Sequence, residues 1–382
     1  MAELLTIDDV RAAAGLVDRW VLRTPVLPSP GLSALLGAPT TVKLELLQRT
    51  GSFKARGAFA KILSLSGQAR AAGVVGVSGG NHGIALADAA HELGVAATVV
   101  MPSTAPARSV ELARASGADV RLTDGLAAAF GLMDDLVAAG RTLVHPYDDP
   151  IVVAAQGTVG LEFAEAAPDL TDVLVSIGGG GFAAGVATAF HALVPGVRVW
   201  GVEVEGADAM RRALADGGPV DFTPTSVVST LAAPHVSQLT YDHAVALLED
   251  VLLVSDAEAA RGSLTLAETQ KVWAEPAAGC LVPAARAVLD RVGPGARLGL
   301  VLCGGNASVT DVVRWAGWSR VPGDGVPHVG AARAERVHRV RAVRVAERHA
   351  EDDLPVLREA EVLAEEVRVR GQRRLGCCAQ PQ

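Results

Sequence analysis

Lysine is almost missing from this chain. Of 34 basic residues in 382, four are lysine, and three of those, Lys43, Lys54 and Lys61, fall within the single stretch TVKLELLQRTGSFKARGAFAKI. A chain that builds its positive surface from guanidinium groups keeps lysine where an amine is needed, because arginine stays protonated and serves as neither nucleophile nor base. Cysteine is equally scarce: the thiols at positions 280, 303, 377 and 378 match neither a zinc site nor a disulfide framework, which predicts a reducing, cytoplasmic setting. No apolar run reaches the length of a membrane span, and the N-terminal MAELLTIDDVRAAAG lacks the basic-then-apolar order of a signal peptide. Aromatic residues make up 4% of the chain and the net charge is −8, which argues against a nucleic-acid partner.

What is present is apolar: half of the residues, enough to bury a large core in two lobes. From about residue 40 to 318, short β-branched runs alternate with alanine-rich helical patterns, the signature of parallel βαβ units. GVVGVS, AATVVM, DVLVSIG, VRVWGVEV and LGLVLCGG read as buried strands, each followed by a turn and a helix. The fold class expected is α/β, doubly wound, with ligands at the carboxyl ends of the strands. From Ser319 onward the chain holds 12 of its basic residues, all arginine, with no aromatics; a solvated tail, disordered or partly helical, is expected there.

Four places carry groups suited to chemistry. Lys54 follows Gly51, Ser52 and Phe53, where Ser52 reads as an N-cap and Ala55, Ala58, Phe59, Ile62 and Leu63 continue an apolar helical face. In the first turn of a helix the macrodipole disfavours a cation by about 0.3–1 kcal/mol and pushes an amine toward its neutral, reactive form. A solvated surface lysine is the plain alternative. The strand DVLVSI runs into Gly178, Gly179, Gly180 and Gly181 and at once into a helix, so that backbone N–H groups can close around an anion such as a phosphate. The same glycines fit a dinucleotide fingerprint, Gly178-x-Gly180-x-x-Ala183, with Glu203 as the ribose-binding acid, and a tight turn without a ligand fits them too. Ser78, Gly79, Gly80, Asn81 and His82 stand between a strand and a helix and suit a carboxylate, with His82 either a general base or, more commonly in such turns, a capping or packing group. Cys303, Gly304, Gly305 and Asn306 end the strand LGLVL, where a polar atom beside two glycines can approach a flat ring, unless Cys303 is only a buried small hydrophobe. Amine, phosphate cradle, carboxylate cradle and ring contact together describe a pyridoxal phosphate site acting on an amino acid.

The residues that carry these features, GSFKARGA, SGGNHG, MPSTAP, AQGT, GGGG, GVEVEGADAM, EPAAG and CGGN, follow the order and spacing of the serine/threonine dehydratases, and the chain resembles that family of fold type II pyridoxal phosphate enzymes over roughly residues 6 to 318. The resemblance implies two doubly wound domains with the cofactor in the cleft between them: residues 1–40 and 146–318 as the larger, 41–145 as the smaller. It implies that Lys54 holds the cofactor as an imine and later takes the substrate's α-proton. Phe53 would pack against the cofactor ring, Asn81 would bond its 3-oxygen, Gly178 through Gly181 would bind the phosphate, and Cys303 would face the pyridine nitrogen. Ser78, Gly79, Gly80, Asn81 and His82 would hold the substrate carboxylate, oriented by Gln156 and Gly157. The activity implied is an ammonia-lyase converting L-threonine, L-serine or a related β-hydroxy amino acid to a 2-oxo acid, in a homodimer. A racemase or β-replacement enzyme is the alternative on this scaffold, but Gly79 stands where serine racemases carry a second base. Ala209 stands where some relatives place a carboxylate for a cation near Glu203, so no metal is expected, and the tail is too short for a regulatory domain.

Overall fold

The computed structural model of the protein describes residues 4–318; the tail expected at 319–382 lies outside the described residues. Among the described residues, ten strands form two sheets. The larger sheet contains β1 (Val26–Pro28), β2 (Thr40–Lys43), β7 (Asp172–Ser176), β8 (Arg198–Val204), β9 (Asp250–Val254) and β10 (Leu298–Val301), in the order β1-β2-β10-β7-β8-β9. Every neighbouring pair in it is parallel except β1 with β2. The smaller sheet is wholly parallel, β5-β4-β3-β6, from β3 (Val74–Val77), β4 (Ala97–Pro102), β5 (Asp119–Thr123) and β6 (Thr142–Leu143).

Helices cover both faces of the larger sheet, so its central strands read as continuous apolar runs, and all of β7 and β10 is buried. β2, which the expected boundary at 41 places mostly in the smaller lobe, is instead a strand of the larger sheet: Val42 pairs with Leu300 and is fully buried. β2, β10 and β7 are consecutive neighbours, and their carboxyl ends lead respectively toward Lys54, Cys303 and Gly178. Three loops far apart in sequence therefore open on one edge of the sheet. β3 delivers the fourth, Ser78–His82, from the smaller sheet.

The helices Pro150–Ala166 and Gly181–Leu193 cross at very short range. A Cβ built on Gly185 would lie 2.3 Å from the Val153 carbonyl oxygen, and one on Gly157 would lie 2.8 Å from the Gly185 oxygen. Gly157 therefore serves this crossing, which seats the start of the glycine-loop helix. Beneath Lys54 lies a buried ionic cluster. Arg56 donates to Glu45 from Nε at 2.9 Å and to Glu162 from Nη1 at 2.6 Å, while Lys43 pairs with Glu162 and donates to the Thr24 oxygen at 2.8 Å. The cluster joins β2 to the helices Lys54–Ser64 and Pro150–Ala166, and its two cations balance its two anions.

Candidate active site

Lys54 is set by an unusual turn. Thr50 and Gly51 both take left-handed backbone, φ 63° and 74°, and the reversal lays Ser52 in extended conformation against Gly304 as an antiparallel bridge. Ser52 was expected to cap the helix; bridged in this way it does not, and the helix starts at Lys54 with no side-chain cap. Lys54 is thus the first helical residue, at the positive end of the macrodipole, and its Nζ donates to the carbonyl oxygen of Pro146 at 2.8 Å. Burial, with a neutral carbonyl as partner, lowers its pKa from 10.5 to about 8. Gln156 donates to the same carbonyl at 3.3 Å, and its own Oε1, like the Ser52 hydroxyl, is buried without a partner.

Phe53 bonds through its N–H to the Cys303 oxygen at 3.1 Å, which ties the lysine segment to the end of β10. Its ring stacks on Phe182 with centroids 3.8 Å apart, and Lys54 Nζ lies 5.0 Å from the Phe53 centroid. Cys303 is buried, 3.5 Å from the Ser176 hydroxyl, and burial pushes its thiol up to about 12, so it is neutral at physiological pH.

Gly178 through Gly181 follow β7. A Cβ on Gly179 would fall 2.1 Å from the Tyr147 ring, and Gly180, at φ 89°, ends the loop and precedes the helix Gly181–Leu193. The first N–H groups of that helix have no acceptor within the helix, as at any helix start, which leaves them available to an anion. Tyr147 is held in turn by its hydroxyl, which donates to the His235 oxygen at 3.0 Å.

From the smaller sheet, Ser78 accepts the Gly80 N–H at 3.2 Å, and the helix Asn81–Glu92 follows directly. Asn81 is buried and donates from Nδ2 to Glu275 at 2.9 Å, while Asn306 donates to Asn81 Oδ1 at 2.8 Å. The His82 ring turns inward to the Val144 oxygen at 2.8 Å, and burial lowers its pKa to about 3. That geometry favours the packing role over the general base and leaves the His82 main-chain N–H, in the first helical turn, to face a ligand. Glu203 is also turned away from ligand duty: its carboxylate accepts the N–H groups of Met210 and Arg211 at 2.8 and 2.9 Å, so the acid expected for a ribose is a helix cap.

The tasks of four contributors escaped sequence reasoning. Glu275 and Asn306 sit in the motifs EPAAG and CGGN without an obvious task, Tyr147 reads as one more aromatic, and the Pro146 carbonyl has no side-chain signature at all.

A model of the family described as pyridoxal-phosphate dependent enzyme matches residues 17–304. The chain belongs to the pyridoxal-phosphate-dependent enzymes, in the serine/threonine dehydratase group of fold type II. It is 40% identical to a phenylserine dehydratase of Ralstonia pickettii over 82% of this chain and 97% of that one. It is 36% identical to an L-threonine ammonia-lyase of Thermotoga maritima over 81% of this chain and 78% of that one. In fold it is similar to maize serine racemase, with a TM-score of 0.77 at 29% identity over 82% of this chain and 97% of that one. This pyridoxal-phosphate-dependent enzyme has groups that fit its cofactor: a half-buried amine beside a carbonyl, a glycine loop ahead of a helix, a neutral thiol, and two buried polar atoms, Gln156 Oε1 and Ser52 Oγ, without protein partners. Among the described residues no helix is long and apolar enough to cross a membrane.

Proposed function

We propose that this enzyme removes water and then ammonia from a β-hydroxy amino acid, leaving the 2-oxo acid, and that L-threonine, L-serine, 3-hydroxyaspartate and phenylserine are the substrates to test. The observation that carries the reading is the Lys54 amine, lowered to about 8 and held at 2.8 Å by a neutral carbonyl at the point where the four loops meet. Pyridoxal phosphate, when bound, supplies the electron sink that makes the substrate's α-proton acidic. The chain supplies the rest. Lys54 holds the cofactor and, once displaced by substrate, takes the α-proton on Nζ. The N–H groups of Gly178 through Gly181 hold the phosphate, and those of Asn81 and His82, with the Ser78–Gly80 loop, hold the substrate carboxylate. Cys303, a neutral thiol, would face the ring nitrogen and leave it unprotonated, which would weaken the sink and favour prompt loss of the β-hydroxyl over long-lived carbanion chemistry.

Racemisation asks for a proton donor on the opposite face. Gly79, packed beside Ala105 and Pro102, offers none. The names of the relatives support the lyase and leave the side chain of the substrate to experiment. The test is release of 2-oxo acid by the purified enzyme with added cofactor across the four substrates, with Lys54→Ala as control. Turnover of at least one, absent in the variant, is expected; no oxo acid from any of them, with the cofactor still bound to Lys54, would replace the lyase with isomerisation or β-replacement.

A further inference from the structure

Asn81 is gripped from both sides, and the grip decides which of its amide atoms is free. On one side Asn306 Nδ2 donates to Asn81 Oδ1 at 2.8 Å and to the Thr50 carbonyl at 2.7 Å. A carbonyl only accepts, so the Asn306 atom facing both partners is its nitrogen, and the Asn81 atom it meets is the oxygen. On the other side the Glu275 carboxylate accepts from Asn81 Nδ2 at 2.9 and 3.2 Å. An accepting Glu275 fits the orientation that Asn306 sets. Together they use the Asn81 oxygen and one of its two N–H bonds, leaving a single donor.

The surroundings are built around this grip. A Cβ on Gly304 would lie 2.6 Å from Glu275 Oε1 and 3.1 Å from Asn81 Nδ2, so glycine is needed there to let the pair meet. Thr50, β-branched and left-handed at φ 63°, is strained, and the strain turns its carbonyl to Asn306. The Gly51 carbonyl beside it accepts the Gly305 N–H at 3.0 Å. One amide, Asn306, therefore links the turn that presents Lys54 to the residue that opens the helix of the smaller sheet.

We propose that Asn306 and Glu275 are positioning residues, a clamp that fixes Asn81 as a hydrogen-bond donor toward the 3-oxygen of the bound cofactor. The proposal rests on the reading of Asn81 given above and goes beyond it by naming what orients the amide and why it cannot flip. A donor at that oxygen draws the proton shared by the oxygen and the Lys54 nitrogen toward the nitrogen. The ratio of the long- to the short-wavelength absorption bands of the resting holoenzyme reports that balance without turnover.

The experiment compares holoenzyme spectra of wild type, Asn306→Leu, Asn81→Ala and the double variant, together with cofactor retention on dialysis. Asn306→Leu is expected to lower the band ratio at least about twofold, in the same direction as Asn81→Ala, and the double variant to show no more than Asn81→Ala alone. If Asn81→Ala shifts the ratio and Asn306→Leu does not, or if the two shifts add in the double variant, the clamp is overturned while the reading of Asn81 stands. An unchanged ratio in Asn81→Ala removes that reading and the clamp with it. Should Asn306→Leu fail to fold, Glu275→Met, neutral and of similar volume, runs the same cycle from the other side of the grip with the same expectations.

Discussion

Lys43 and Lys54 stand eleven residues apart, the first fully buried and the second half-buried, and their surroundings have little in common. Lys43 is fully buried between Glu162 and Glu45, with Arg56 completing the cluster; burial pulls its amine down and the two carboxylates pull it back. Lys54 has a carbonyl as its hydrogen-bond partner and settles near pH 8. A buried charge matched by carboxylates joins elements together and stays charged. A buried amine left without a carboxylate is a reactive group whose poise comes from desolvation. The chain places both kinds of lysine in a single segment, one to hold the segment down and one to work at its end.

The largest expected effect comes from making the same substitution at both positions. Lys54→Met should lower turnover by about 10³-fold or more, since it removes the proposed nucleophile and base together, and leave the urea-unfolding free energy of the apoprotein within about 1 kcal/mol of the wild-type apoprotein's or above it. Lys43→Met should cost about 3 kcal/mol of stability by leaving Glu162 short of a partner, and leave turnover per folded molecule nearly intact. Equal destabilisation by the two variants would erase the contrast.

A smaller effect concerns pH. Because the folded pKa of Lys54 lies near 8, below the 10.5 of the unfolded chain, the neutral amine becomes the major form above about pH 8. The rate at which apoprotein captures the cofactor, followed by absorbance, should rise through that pH and level off beyond it. Between about 8 and 10.5 the unfolded chain binds the extra proton, so this group's contribution to stability rises with pH across the same window. A capture rate still climbing at pH 10 would mean that the amine is not desolvated.

Much of this was legible in the residues. Strand patterns, the glycine loop after DVLVSI and the lysine at the start of a helix are local signals, and the strands, loop and helix turned up where the sequence pattern placed them. Ser52 was misread because the left-handed pair Thr50–Gly51 overrides capping preference, and β-branched threonine gives no warning of such a conformation. β2 was assigned mostly to the smaller lobe because its pairing with β10 spans more than 250 residues, beyond any local pattern. The grip on Asn81 was invisible for the same reason: Glu275 and Asn306 lie 194 and 225 residues away from it in sequence.

The finest test of the contrast between scaffold and site is Tyr147, which touches both. Its ring covers Gly179 of the glycine loop, while its hydroxyl donates to the His235 carbonyl at 3.0 Å on a different segment. Burial raises the phenol above its usual range, so it remains a protonated donor at every working pH. Tyr147→Phe keeps the ring over Gly179 and deletes one neutral, half-buried hydrogen bond, a change worth about 1 kcal/mol of stability. If the hydroxyl belongs to the scaffold, urea unfolding should register that loss and cofactor retention should stay within about twofold of wild type. A tenfold fall in retention with stability unchanged would instead make the hydroxyl part of the site: the ring's position over the glycines would then depend on the tether to His235, and the glycine loop would be set from the 235 segment as well as from β7.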